Sequence, residues 1–141
     1  MIYFTSDHHF SHENIIKYCD RPFPNAYVMD RVLISRYNET VKENDTVYFL
    51  GDLSMKNRSH KGGHFRYLMN KLHNGTKHLI LGNHDKLEPF DYVDLGFQTV
   101  HTSLNIDLPY IGNVWLVHDP AWAEMDKKKL FLCGHVHTLF K

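Results

Sequence analysis

Short apolar runs that end in polar clusters recur along this chain, separated by stretches with helical spacing. Residues 2–6, Ile-Tyr-Phe-Thr-Ser, are apolar and β-prone and predict a buried strand ending at Asp7-His8-His9. Residues 11–18 predict a short helix carrying Ile15, Ile16 and Tyr18, stopped before Arg21-Pro22-Phe23-Pro24. Over residues 27–43, Met29, Leu33, Tyr37 and Val41 recur every four positions, with Val28 and Val32 beside them. That spacing predicts one face of a long amphipathic helix. Asn44-Asp45 turns the chain into a second strand over 46–50, which ends at Gly51-Asp52. Residues 64–72 predict a helix closed by Asn74-Gly75, and 78–81 a third strand running into Gly82-Asn83-His84-Asp85. Beyond this the pattern turns β-rich, with strands predicted over 98–102, 104–108, 114–117 and 130–133. The last two end in His118-Asp119 and Gly134-His135-Val136-His137.

Strands alternating with helices in the first half imply a largely parallel sheet with right-handed crossovers. In such sheets the C-terminal strand ends share one edge, where ligands bind. Five of the predicted strands end there in Asp, Asn or His. The fold class is therefore α/β with α+β character, in a single domain over residues 1–141 without repeat, low-complexity tract or linker.

Composition narrows the function classes. Sixteen basic and sixteen acidic residues cancel, so no global field draws the chain to nucleic acid or to a membrane surface. Met1-Ile2-Tyr3-Phe4 lacks the basic start and apolar core of a signal peptide, and no apolar run reaches membrane-spanning length. Cys19 and Cys133 alone make no disulfide framework. A reduced, cytoplasmic protein is expected. Histidine stands out, with twelve in the chain.

The strand ends offer two carboxylates, one amide oxygen and four imidazoles: Asp7, Asp52, Asn83, His9, His118, His135 and His137. Asp7 and His9 are two apart, so on an extended backbone both side chains face one way and His8 the other. Asp52 and Asn83 each follow a glycine, where the backbone can turn sharply and aim the next side chain at the strand mouth. Mixed oxygen and imidazole donors suit manganese first, with iron, zinc, nickel or magnesium behind it. The missing thiolate argues against a structural zinc site. Seven donors are too many for one catalytic cation, whereas two divalent cations about 3.5–4 Å apart, sharing a carboxylate, fit the number. Such a pair lowers the pKa of a shared water to about 7, giving hydroxide at neutral pH to attack a phosphate ester. The departing ester oxygen needs a proton. His84, beside Asn83 but outside the ligand set, is placed to give it, and Asp85 to orient the His84 ring.

In chain order, Asp-x-His, Gly-Asp, Gly-Asn-His-Asp, a lone His and Gly-His-x-His resemble the calcineurin-like metallophosphoesterases, over nearly the whole chain from Asp7 to His137. The resemblance implies a β-sandwich of two sheets flanked by helices. It also implies a first cation on Asp7, His9 and His137, a second on Asn83, His118 and His135, and Asp52 bridging them. His84 matches the family's catalytic histidine. The opening stretch, with His12-Glu13-Asn14-Ile15-Ile16 and Arg21-Pro22-Phe23, is similar to a subgroup of small bacterial and phage phosphoesterases. Two departures stand out. The family's arginine a few residues after Gly-Asp has only Arg58 to match it, at a longer spacing. The family also continues with further strands past the final histidine pair, where this chain has four residues more.

Other residues divide between functional and structural readings. Arg21 can hold a substrate phosphate through its guanidinium fork, or pair structurally near Asp20. His12 and Arg58 are candidate substrate contacts, and His8 is expected to face the core or a helix. Lys56, Arg58 and Lys61 form a lid over a charged substrate or a solvated loop. Trp122 stacks a base or packs in the core. The expected function is hydrolysis of a phosphate mono- or diester in a small, nucleotide-like substrate. A nuclease acting on DNA or RNA is the second reading, and a non-catalytic module binding metal and nucleotide the third.

Overall fold

The computed structural model describes residues 1–55, 63–125 and 128–137. Its elements in chain order are β1 (Ile2–Thr5), α1 (Glu13–Tyr18), α2 (Ala26–Thr40), β2 (Thr46–Phe49), α3 (His64–Met69) and β3 (Thr76–Ile80). They continue with α4 (Pro89–Asp94), β4 (Thr99–His101), β5 (Leu104–Leu108), β6 (Gly112–Leu116), α5 (Ala121–Met125) and β7 (Leu130–Leu132). Two sheets result. The first is parallel throughout, in the order β1-β2-β3-β4; in the second, β5 and β6 pair antiparallel and β7 joins β6 in parallel.

Period-two alternation sorts the side chains of the parallel sheet into two cores. Val47 and Phe49 of β2 and Leu79 of β3 face the helices, where Phe65, Leu68 and Met69 of α3, Tyr92 of α4 and the Leu33-Ile34-Tyr37 stripe of α2 cover them. Tyr48 and Ile80 point the other way, onto Leu104, Ile106, Leu108, Val114, Leu116 and Leu132 of the second sheet. Helices, parallel sheet and mixed sheet thus form three layers, the mixed α/β architecture expected. β1 is not the buried strand its apolar run suggests: it lies at the sheet edge, with Ile2 exposed and the rest half-buried.

Two helices lie in stretches where the periodicity gave none. α4 starts at Pro89, with the reciprocal bonding of a capping box between Glu88 and Asp91. Proline suits a first helical position because its missing N–H would be unpaired there anyway. α5 follows Asp119-Pro120, and the Asp119 carboxylate accepts from the Ala121 N–H at 2.9 Å. Among the described residues no helix is long and apolar enough to cross a membrane.

Candidate metal centre

Past Thr5 the backbone leaves the strand. Asp7, His9 and Ser11 all take left-handed conformations, with φ of 53°, 51° and 60°. The same conformation recurs at Asp52 (56°), His135 (71°) and His137 (49°). Asp7 and His9 therefore share a side because left-handed residues alternate with others, not because the chain is extended. This corrects the strand-based expectation. Such positions cost about 1 kcal/mol or more each and persist only where the surroundings hold them. Here the two loops are tied together: the N–H groups of Asp7, His9 and Phe10 donate to the carbonyls of Gly51, Asp52 and Leu53 at 2.9, 3.0 and 2.7 Å. At Gly51, φ is 89°; at Gly82 an added Cβ would fall on the Asp52 carboxylate and backbone nitrogen. Both glycines let the strand ends approach closely.

Among the described residues, the side chains gather in two groups that could hold a metal ion. Asp7, His9 and His137 form one, and Asp52, His118 and His135 the other, with the ligand atoms of each group within 4.8 Å of one another. Asn83 completes the second, its Oδ1 lying 3.0 Å from both His118 Nε2 and His135 Nδ1. Asp52 stands between the groups, Oδ2 being 3.4 Å from His118 Nε2 and 3.6 Å from His9 Nε2. Asp7, His9, Asp52 and His118 are buried, whereas Asn83 and His135 are exposed, so one face of the centre is open. His84 lies at that face, 36% exposed. Its Nε2 is 3.9 Å from Asp52 Oδ2, and its backbone N–H donates to Asp52 Oδ1 at 2.9 Å.

The chemistry of these donors fits divalent cations. Ligands about 2.1 Å from a shared cation stand about 3.0–3.4 Å from each other. The second group already shows that spacing, with His118 Nε2 and His135 Nδ1 also 3.2 Å apart. His118 Nδ1 donates to the Leu50 carbonyl at 2.7 Å, so Nε2 is the nitrogen left to ligate. His9 Nε2 is buried with no hydrogen-bond partner among the described residues. Burial pushes the His9 imidazole down to about 3, even with the Asp52 charge nearby. Burial also pushes Asp52 up, but the hydrogen bonds from His118 and the His84 backbone outweigh it and bring the carboxyl to about 2. His118 is raised above its ordinary value, its own burial being overcome by hydrogen bonds with Asp52 and Leu50. Acceptors crowded this closely call for positive charge.

No protein-family model matches the chain. An uncharacterised protein of Methanocaldococcus jannaschii, MJ1445, is 43% identical over 83% of this chain, which spans 66% of that protein's length. The gene 66 protein of mycobacteriophage D29 is 29% identical over 97% of the chain, which spans 78% of it. The gene 66 protein of phage L5 is 26% identical over 96%. Among solved structures, AQ665 of Aquifex aeolicus, a protein of unknown function, matches with a TM-score of 0.67 and 28% identity. That match covers 86% of this chain and 61% of the other. The likeness to AQ665 supports the architecture.

Several candidates take other places than expected. The Arg21 guanidinium, proposed for a substrate phosphate or a partner near Asp20, donates to the backbone carbonyls of Asp7 (2.6 Å) and His8 (2.9 Å). It clamps the ligand loop. Asp85, expected to orient the His84 ring, instead accepts from three backbone N–H groups: Asp52 (2.8 Å), Leu53 (3.0 Å) and Gly82 (2.9 Å). Burial pushes its carboxyl up to about 6 against the pull of those donors, so it is an anion at neutral pH. His12 packs against His9, with Nδ1 3.2 Å from His9 Nδ1. His8 faces the core as expected, stacked on Phe10 and tilted against Phe49. Trp122 is 46% exposed. Lys56, Arg58 and Lys61, expected as a lid or a solvated loop, lie outside the described residues.

Asp30 escaped the sequence reading. Its buried carboxylate accepts from Ser11 N at 2.9 and 3.1 Å and from Ser11 Oγ at 2.9 Å, fixing the left-handed turn after His9. The available signal was a carboxylate on the inward stripe of α2, next to Met29. A cavity of about 490 Å³ between α2 and α3, lined by Tyr27, Asp30, His64 and Tyr67 among others, contains none of the metal-ligand candidates.

Proposed function

We propose that this protein is a phosphoesterase dependent on two divalent cations. The observation that carries this reading is the pair of ligand groups with Asp52 between them and His84 at their open face. Asp7, His9 and His137 would hold one cation, Asn83, His118 and His135 the other, and Asp52 both. The motif order shared with the calcineurin-like metallophosphoesterases supports the same division. Bound there, divalent cations supply Lewis acidity to a phosphate and bring the pKa of water down to about 7.

The chain's own groups do the rest. Asp85 and Arg21 fix the loops that carry Asp52 and Asp7, so the ligand cradle is formed before substrate arrives. The His84 backbone N–H holds one Asp52 oxygen, leaving the other turned inward. The His84 ring, partly exposed at the mouth with Nε2 3.9 Å from Asp52 Oδ2, would donate a proton to the departing ester oxygen. A small, nucleotide-like ester suits a chain with no net charge better than a polynucleotide does.

The test is hydrolysis of bis-p-nitrophenyl phosphate and p-nitrophenyl phosphate by metal-stripped protein after separate return of manganese, nickel, zinc, magnesium and iron(II). Turnover should reappear with metal. In His84→Ala it should fall about 10²–10⁴-fold while cations still bind. No hydrolysis of either ester by protein carrying two cations per chain would favour the binding-module reading.

A further inference from the structure

We propose that His12 is a positioning residue that sets the tautomer and ring direction of His9, so that His9 presents an unprotonated Nε2 to the first cation. The inference rests on the metal-centre reading above and adds to it a residue outside the ligand set.

The two Nδ1 atoms stand 3.2 Å apart. Two bare lone pairs do not face each other at that distance, so one nitrogen carries the proton and the other accepts it. His9 Nε2 decides which. It is buried, lies 3.6 Å from Asp52 Oδ2 and 3.9 Å from Asp7 Oδ1, and has no hydrogen-bond partner among the described residues. A proton on Nε2 would be stranded there, too far from either carboxylate to bond and in the space a cation needs. With the proton on Nδ1 instead, His9 donates to His12, and its Nε2 lone pair faces Asp7 and Asp52. His12 then carries its own proton on Nε2.

The fold holds His12 for this task from several sides. Its backbone N–H closes a tight turn onto the His9 carbonyl at 3.0 Å. Ser11, left-handed between them, is fixed through both its N–H and its hydroxyl by the buried Asp30 carboxylate. The Tyr18 ring meets the His12 ring edge-on, with centroids 6.4 Å apart, and the His9 and His12 centroids are 5.3 Å apart. Ligating histidines commonly donate their second N–H to an oxygen. Here an imidazole nitrogen takes the oxygen's place.

Calorimetric titration of the metal-stripped protein with manganese tests this, comparing wild type with His12→Phe and His12→Gln. The phenyl ring keeps the shape and removes the acceptor; the glutamine oxygen restores an acceptor. His12→Phe should weaken the first-group cation about 10–100-fold and leave the second unchanged, while His12→Gln recovers most of the loss. In the zinc-loaded protein, nitrogen-proton correlation spectra should show His9 protonated on Nδ1, with that proton slowed in exchange, and the slowing should vanish in a folded His12→Phe. Unchanged affinity in His12→Phe, or a His12 proton on Nδ1, would overturn the inference while leaving the metal centre standing. A wild-type chain that takes up no cation would remove the centre itself and this inference with it.

Discussion

Asp85→Ala should unfold this protein more readily than any single ligand change, because Asp85 is what the site's backbone hangs on. Its buried carboxylate accepts from the N–H groups of Asp52, Leu53 and Gly82 at 2.8–3.0 Å. Hydrogen bonds to a charged group contribute about 1.5–3 kcal/mol each, and an N–H left buried without a partner costs about 1–3 kcal/mol. Some of the three would find water after truncation, so the expected loss is about 3–6 kcal/mol, against a total stability of about 5–15 kcal/mol for a domain of this kind. At about 3 °C per kcal/mol for this size, the melting temperature falls by about 10–20 °C. Circular dichroism melts and urea unfolding at pH 7.5 measure it. Asp85→Asn keeps one acceptor oxygen and should lie between alanine and wild type. A melting temperature for Asp85→Ala within about 2 °C of wild type would refute the reasoning, since three lost charge-assisted bonds cannot shift it so little.

Gly82→Ala places a methyl group on the Asp52 carboxylate and backbone nitrogen, and the pinned 51–53 loop has little room to yield. A loss of about 1–3 kcal/mol in urea unfolding is expected, together with weaker uptake of the second-group cation in calorimetry. His8 gives the pH dependence. Burial, with Arg21 nearby, lowers its imidazole to about 4, so the folded chain holds it neutral while the unfolded chain takes a proton near 6.5. Its contribution is therefore complete above pH 6.5 and is lost as pH falls through 4, on the order of 3 kcal/mol in all. His8→Phe, which keeps the stacking on Phe10, should flatten that acid limb when unfolding free energies at pH 7 and pH 4.5 are compared. An equal acid loss in the variant would show that another group titrates.

Much of this architecture was legible because burial imposes period on a sequence. The α2 stripe and the runs at 46–50, 78–81 and 104–108 announce themselves, and every expected ligand lies at a strand end. What escaped was local or long-range. The left-handed backbone at Asp7, His9, Asp52, His135 and His137 leaves no mark in side-chain pattern, because Asp and His accept that conformation without requiring it. Pro89 and Pro120 open helices too short to show periodicity. Arg21 spends its charge on the backbone of another loop, as does Asp85 beyond its local bond to Gly82, and nothing in their own neighbourhoods names those distant partners.

The proposed chemistry requires two cations that share Asp52. Metal content per chain, measured by plasma mass spectrometry on protein loaded with manganese and desalted, tests it most directly beside Asp52→Ala and His137→Ala. The account predicts two cations in wild type, one in His137→Ala and a collapse of both in Asp52→Ala. One cation or none in wild type, or two retained without Asp52, would contradict it.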